Sequence, residues 1–320
     1  MCYDAAMSRI DVHHHFVPPS YLRRERERVL AAMALNPEIL TEWTPARAVE
    51  ELDRHDIARA LVSISTPGIW FGEPEAARTL ARECNEYAAQ MARDHPGRFG
   101  NFAAIPLPDV EGSLREIAHA YDVLGADGVG ILTSYDDRWP GDAAFAPVFD
   151  ELNRRKAKVF VHPTMSCCGN VFPGISKPII EFPTDTARTV ASLALSGTMA
   201  RFPDVTFIFS HGGGSLPSIV QRLAIPVSEM KPEERAKRLP RGLDYELKRQ
   251  YYDLASVGSS PPGMAAVLKL WPITQLTYGS DVPFGSSVGI AEGITKLGLA
   301  DADLKLIQRG NAARLFPHLD

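Results

Sequence analysis

Val159-Phe160-Val161-His162-Pro163 is an apolar, largely β-branched run that stops on a histidine just before a proline. Such a run reads as a strand buried on both faces, as in a parallel sheet, with its last residue delivered to the rim. The same design returns downstream. Phe207-Ile208-Phe209-Ser210 runs into His211-Gly212-Gly213-Gly214, and Leu276-Thr277-Tyr278-Gly279-Ser280 runs into Asp281. Upstream, Ile10 opens a run that ends in Asp11-Val12-His13-His14-His15. Closed α/β barrels carry their chemistry at the C-terminal ends of the strands. Polar residues recurring at four strand ends therefore favour a barrel over an open, doubly wound sheet.

Working outward, the chain alternates short β-like runs with longer helical patterns, the signature of a parallel α/β fold. Strands are expected at 10–15, 60–65, 99–105, 128–132, 159–162, 205–210, 251–255 and 275–278. Helices are expected at 46–55, 74–95, 110–124, 143–155, 184–201, 216–230, 262–270 and 301–316. Eight strand–helix units with no linker imply one (β/α)8 TIM barrel spanning residues 1–320 as a single domain. Residues 25–44 and 169–183 read as long βα loops, and 231–248 as a charged, solvated insert.

Composition narrows the partners. The net charge of −5 leaves no basic footprint for nucleic acid. No uninterrupted apolar stretch is long enough for a membrane span, and the N-terminus lacks a secretory pattern. The cysteines, Cys2, Cys84, Cys167 and Cys168, form no CxxC pair, which argues against a disulfide framework or a thiolate zinc site. A cytoplasmic, reducing setting is expected.

If 10–15 is a regular strand, side chains alternate, so His13 and His15 share a face with Asp11 while His14 points away. Two imidazoles facing one barrel mouth suit a divalent cation, and the histidines and Asp281 at other strand ends strengthen that reading. Trp70 and Phe284, with Phe16, are candidates to line an aromatic pocket, core packing being the alternative. His55, His95 and His119 fall on helices and read as surface residues. Asp185 and Arg188, one turn apart, have the spacing of an ordinary surface ion pair, but the preferred reading is a role near the site or at a dimer contact. His211-Gly212-Gly213-Gly214 with Gly285-Ser286-Ser287-Val288-Gly289, Asp301 and His318 imitates a serine hydrolase. No strand runs into that serine and Pro283 intervenes, so the imitation lacks its structural context.

The four motifs DVHHHF, VFVHP, FSHGGG and YGSDVPF, in this order, resemble the aminocarboxymuconate semialdehyde decarboxylase branch of the amidohydrolase superfamily. The likeness runs from Ile10 to about Phe316. HHHFVPP and the stretch from Gly174-Ile175-Ser176 to Arg188 are similar to the 6-methylsalicylate decarboxylases within it. The resemblance implies one divalent metal ion, zinc or alternatively manganese, on His13, His15, His162 and Asp281. It places His211 beside the metal as a catalytic or substrate-orienting group. It also implies a homodimer in which Arg222 reaches the neighbouring subunit and grips a substrate carboxylate. A further substrate-binding arginine that the family carries in a long loop after its first strand is not placed in the shorter loop here, which counts against a muconate semialdehyde substrate.

Chemistry makes the set coherent. Decarboxylating a small hydroxylated aromatic acid such as 6-methylsalicylate requires a proton delivered to the ring carbon. Asp281 is the natural donor, with His211 near the oxygen atoms. The same residues could instead hydrolyse a lactone or amide, with Asp281 as general base, and spacing does not separate the two. A metal held only for structure is a third reading.

Overall fold

The computed structural model of the protein describes residues 9–32, 37–165 and 175–319. Eight strands form one parallel sheet in sequence order: β1 (Arg9–His15), β2 (Ile57–Ser63), β3 (Phe99–Ala104), β4 (Gly128–Leu132), β5 (Lys158–His162), β6 (Thr206–Phe209), β7 (Tyr251–Asp253) and β8 (Leu276–Thr277). The ring closes where the Val12 amide donates to the Tyr278 carbonyl at 3.1 Å and the Asp281 amide to the His13 carbonyl at 2.8 Å. These bonds tie β1 to the segment just after β8 in a nearly closed barrel, and helices between successive strands cover the outside.

Alternation along the strands sorts most of the core into two bodies. Phe207 and Phe209 of β6, like Val159 and Val161 of β5, belong to the large cluster under the helices. Ile208 and Phe160 join Ile10, Val12, Leu61 and Phe102 in a separate inner cluster. The inner cluster is completed by Leu315, Phe316 and Leu319 from the chain's end. His318 pairs with Asp127, which directly precedes β4, so this plug sits at the N-terminal end of the barrel. The opposite end stays open for polar side chains.

Several elements differ from the sequence expectation. Residues 25–44 do not form one long loop. Helices span Pro19–Ala32 and Pro37–Thr41, and the first buries only Tyr21 and Val29, too few apolar positions for a visible period. The helix expected from 184 begins at Lys177 and runs to Leu195 with Pro183 inside it; the 169–174 part of the expected loop lies outside the described residues. Residues 216–230 are not one helix either. Leu216–Ile219 gives way to a 3-10 turn at Val220–Leu223, and Ala224–Glu229 starts afresh with Pro226 in its first turn. A proline there cannot donate to residue 222 and its ring clashes with that turn, so the helix restarts rather than continues. The insert at 231–248 holds short helices at Pro232–Arg238 and Leu243–Lys248. No described helix is long and apolar enough to cross a membrane.

Candidate metal centre and active site

β1 does not alternate regularly. Asp11 pairs with Ala60 and His14 with Val62, so Val12 and His13 together stand against Leu61. This bulge re-aims the strand, as bulges beside functional sites do. Val12 faces the inner core, and His13 and His15 both turn to the barrel mouth. The expectation that Asp11 shares their face is corrected: Asp11 lies with His14. Its Oδ2 receives His14 Nδ1 at 3.1 Å, and its Oδ1 accepts the backbone amides of His13 and Ser280, each at 3.0 Å. Asp11 therefore ties β1 to the residue immediately before Asp281.

His13, His15, His162 and Asp281 each bring one donor atom to a common point, all within 4.8 Å of one another. His13 Nε2 lies 3.1 Å from His15 Nε2, and both face Asp281 Oδ1, at 3.2 Å and 3.1 Å respectively. Ligands about 2.1 Å from a shared divalent cation stand roughly 3.0–3.4 Å apart, depending on geometry. His162 Nδ1 is buried with no partner among the described residues. A buried nitrogen without a partner is costly unless something else satisfies it. The donor set thus fits a divalent cation.

Electrostatics agrees with that use. Burial opposes charge on His13, but the Asp253 and Asp281 carboxylates outweigh it and raise the imidazole to about 10. Burial lowers His15, and pushes His162 well down with help from the neighbouring rings. Burial works against the Asp281 carboxylate too, yet His13, His15 and His211 hold it well below the usual range. The neutral His15 and His162 and the ionised Asp281 are the forms that coordinate metal, whereas His13, held protonated by its two carboxylates, gives up its proton when an ion binds.

Asp253, at the end of β7, was not singled out from the sequence. Its Oδ2 takes His13 Nδ1 at 3.0 Å, which leaves Nε2 free for the centre. Its Oδ1 accepts the amides of His211 at 3.1 Å and Ala255 at 2.9 Å. One carboxylate thereby positions a metal-facing ring and the His211 loop. His211 Nε2 lies 3.3 Å from Asp281 Oδ2, so Asp281 turns one oxygen to the histidine pair and the other to His211. His211 and Asp281 both have positive φ, 55° and 60°, a left-handed backbone that is uncommon outside glycine.

A cavity of about 620 Å³ opens onto His162, His211 and Asp281. Phe182, Pro183, Ile179, Val257 and Phe284 give it apolar walls, and Ser65, Thr66, Ser256 and Ser260 supply hydroxyls. Phe284 also leans on His15, with ring centres 5.6 Å apart. Among the described residues no lysine or arginine lines the cavity. Trp70 is not on its wall; the indole donates to Asp136 at 3.1 Å. Phe16 stacks on Tyr87 in the core. Arg222 is exposed, on the 3-10 turn. Asp185 is no surface residue. It is fully buried and accepts from Thr133 at 2.5 Å, Ser134 at 3.1 Å and Trp139 at 3.0 Å, fastening the helix that carries Phe182 to the end of β4. The serine-hydrolase imitation is scattered: Ser287 is buried in a helix and His318 lies at the other end of the barrel.

Fold and site together define a (β/α)8 barrel with a three-histidine, one-carboxylate cluster at its mouth. The chain belongs to the amidohydrolase family, whose profile matches residues 10–318. It is 36% identical over 331 residues to the decarboxylase yanB of Aspergillus niger, covering 97% of this chain and 88% of that protein. It is 32% identical over 326 residues to the 6-methylsalicylic acid decarboxylase acuB of Aspergillus aculeatus, covering 97% and 96%. Among solved structures it is similar to the 5-carboxyvanillate decarboxylase of Novosphingobium aromaticivorans, crystallised with manganese and 4-hydroxy-3-methoxy-5-nitrobenzoic acid. The TM-score is 0.86 at 21% identity, covering 98% of this chain and 97% of that one.

Proposed function

We propose that this protein is a metal-dependent, non-oxidative decarboxylase of a small hydroxylated aromatic acid of the 6-methylsalicylate type, a carbon–carbon lyase. The observation that carries the reading is the joining of two features: an apolar, phenylalanine-walled cavity, and a floor made of Asp281, His211 and His162. The cavity suits a flat aromatic ring. His13, His15, His162 and Asp281 hold one divalent ion, zinc or alternatively manganese. When bound, the ion supplies Lewis-acid stabilisation of negative charge on the substrate's oxygens.

The chain's own residues handle the proton. Asp281 rests ionised, so it must acquire a proton before giving one. His211 is the neighbour placed to pass it, across 3.3 Å to Oδ2. Asp281 then protonates the ring carbon that bears the carboxylate, the carbon–carbon bond breaks, and carbon dioxide departs. One proton is taken up per turnover, replaced through His211 from the cavity. Phe284 and Phe182 orient the ring and exclude water. Trp70 acts on substrate only indirectly, by tying the loop after β2 to Asp136 in the loop after β4.

The lack of a cation on the described cavity wall supports a homodimer in which Arg222 of one subunit reaches the other's substrate carboxylate, where a guanidinium can make paired hydrogen bonds. The protein works in the cytoplasm as a single domain of residues 1–320. The test is to supply the metal-loaded protein with 6-methylsalicylate and with lactones or amides. Carbon dioxide release with deuterium entering the vacated ring position in heavy water is expected. Hydrolysis without carbon dioxide would transfer the site to the hydrolase reading.

A further inference from the structure

We propose that a second, smaller cavity behind the metal centre receives carbon dioxide as the carbon–carbon bond breaks. This rests on the decarboxylase reading above. The cavity is about 20 Å³ in volume and is lined by residues at and just beyond the ends of β2, β3, β4 and β5. Ile64, Ile105, Ile131, Leu132 and Phe160 make its wall apolar.

Its room comes from small residues, Gly130 on β4 and Ala104 on β3. Neither backbone strain nor crowding demands glycine at 130. A Cβ there would meet nothing nearer than 3.6 Å, the Phe102 side chain and carbonyl oxygen. The strand could carry alanine, and the space it would fill is the cavity.

The hydroxyls on the wall are engaged elsewhere, and His162 Nδ1 is a single nitrogen without a partner among the described residues. Ser63 Oγ lies 3.2 Å from His15 Nδ1, and the Tyr135 hydroxyl accepts the Leu132 amide at 2.9 Å. A buried water needs about two to four polar partners, so this wall suits a molecule without a dipole. Carbon dioxide is such a molecule, and the proposed reaction makes it next door. His162 is a wall of both cavities. The segment after β2 also serves both: Ile64, Gly68 and Ile69 face the small cavity, and Ser65 and Thr66 the large one.

The step balances without a co-reactant. The aryl–carboxylate bond breaks, its electron pair stays on the ring carbon and takes the proton, and the carboxylate leaves with both oxygens as carbon dioxide. A place to move into separates it from the ring carbon before the pair can recombine.

The decisive variant is Gly130→Ala. First, the unaltered protein must release carbon dioxide from a hydroxylated aromatic acid. Failure there overturns the decarboxylase reading, whatever the cavity does. Next, carboxylation of the decarboxylated phenol is followed as dissolved carbon dioxide is raised. In Gly130→Ala the half-saturating carbon dioxide concentration should rise roughly tenfold, the order expected for one misplaced methyl in a pocket. The KM for the phenol, the metal content and the melting temperature should not move. Ala104→Val, from the neighbouring strand, should do the same. An unchanged carbon dioxide dependence in a variant that keeps its metal overturns the proposal. Xenon-pressurised crystals give an independent reading: a xenon atom beside Gly130 is expected, and an ordered water bonded to His162 in its place refutes the assignment.

Discussion

The metal-facing cluster and the walls of the large cavity meet at Asp281 and His162 but are built on different supports. The cluster stands on or just beyond strand ends, with His13, His15 and His162 buried and held by Asp253, Asp11 and the ring of strands. The walls come from a short helix carrying Ile39, a proline-containing helix carrying Ile179 and Phe182, and the turns after β7 and β8. Ile179 is 65% exposed, whereas His13 and His15 are fully buried. The rigid part fixes the reaction, and the looser part selects what enters it.

The sharpest way to break that division is to remove a strand-borne ligand. His162→Ala should take metal from about one ion per chain to almost none by elemental analysis, as expected for a mononuclear centre losing one of four ligands. Full occupancy in both His162→Ala and His13→Ala would end the metal assignment. Asp281→Asn and His211→Ala should each lower kcat, by about 10²–10⁴-fold, the usual worth of a placed proton-transfer group. They should differ in metal content, which His211→Ala retains. Loss of metal in His211→Ala would move that residue into the coordination set.

Asp253→Asn tests whether support matters as much as ligation. It keeps the shape but weakens the acceptor for His13 Nδ1, so metal affinity should fall by about 10–100-fold, measured by competition with a chelator. An unchanged affinity would show that β7 only shapes the loop. The smallest effect is expected from the outer part. Arg222→Ala should raise KM for the acid by about tenfold, the order of one charge-assisted pair, and leave metal untouched. Mixing it with His211→Ala under subunit exchange should, at substrate well below KM, raise activity above the sum of the two variants, since a hybrid dimer has one intact site. A mixture that shows no such gain despite proven exchange rules out action across the interface.

The strand ends were legible because each announces itself locally. An apolar run followed by His or Asp, as at β5, β6 and β8, needs no partner to be recognised, and all eight strands overlap the expected ranges. Asp253 carries the same signal in Tyr251-Tyr252-Asp253 and could have been found by it. Asp11 could not. Its orientation depends on a bulge, and a bulge is a mismatch between two strands that neither sequence shows alone. The cavity walls were harder still. Pro19–Ala32 is rich in Arg and Glu and buries two residues, so no apolar period marks it. Asp185 with Arg188 matched the spacing of an exposed pair, and only packing against Thr133 and Trp139 gives the carboxylate its partners.

The left-handed backbone at His211 and Asp281 has a cost outside catalysis. Each such residue gives up about 1–3 kcal/mol of folding free energy relative to an unstrained position. His211→Gly removes the steric reason for that loss, while His211→Ala keeps it. The glycine variant should therefore unfold at a higher temperature than the alanine variant, although both are inactive. Selecting this chain for heat resistance alone would erode its working parts, because durability and turnover compete at the same two backbone positions.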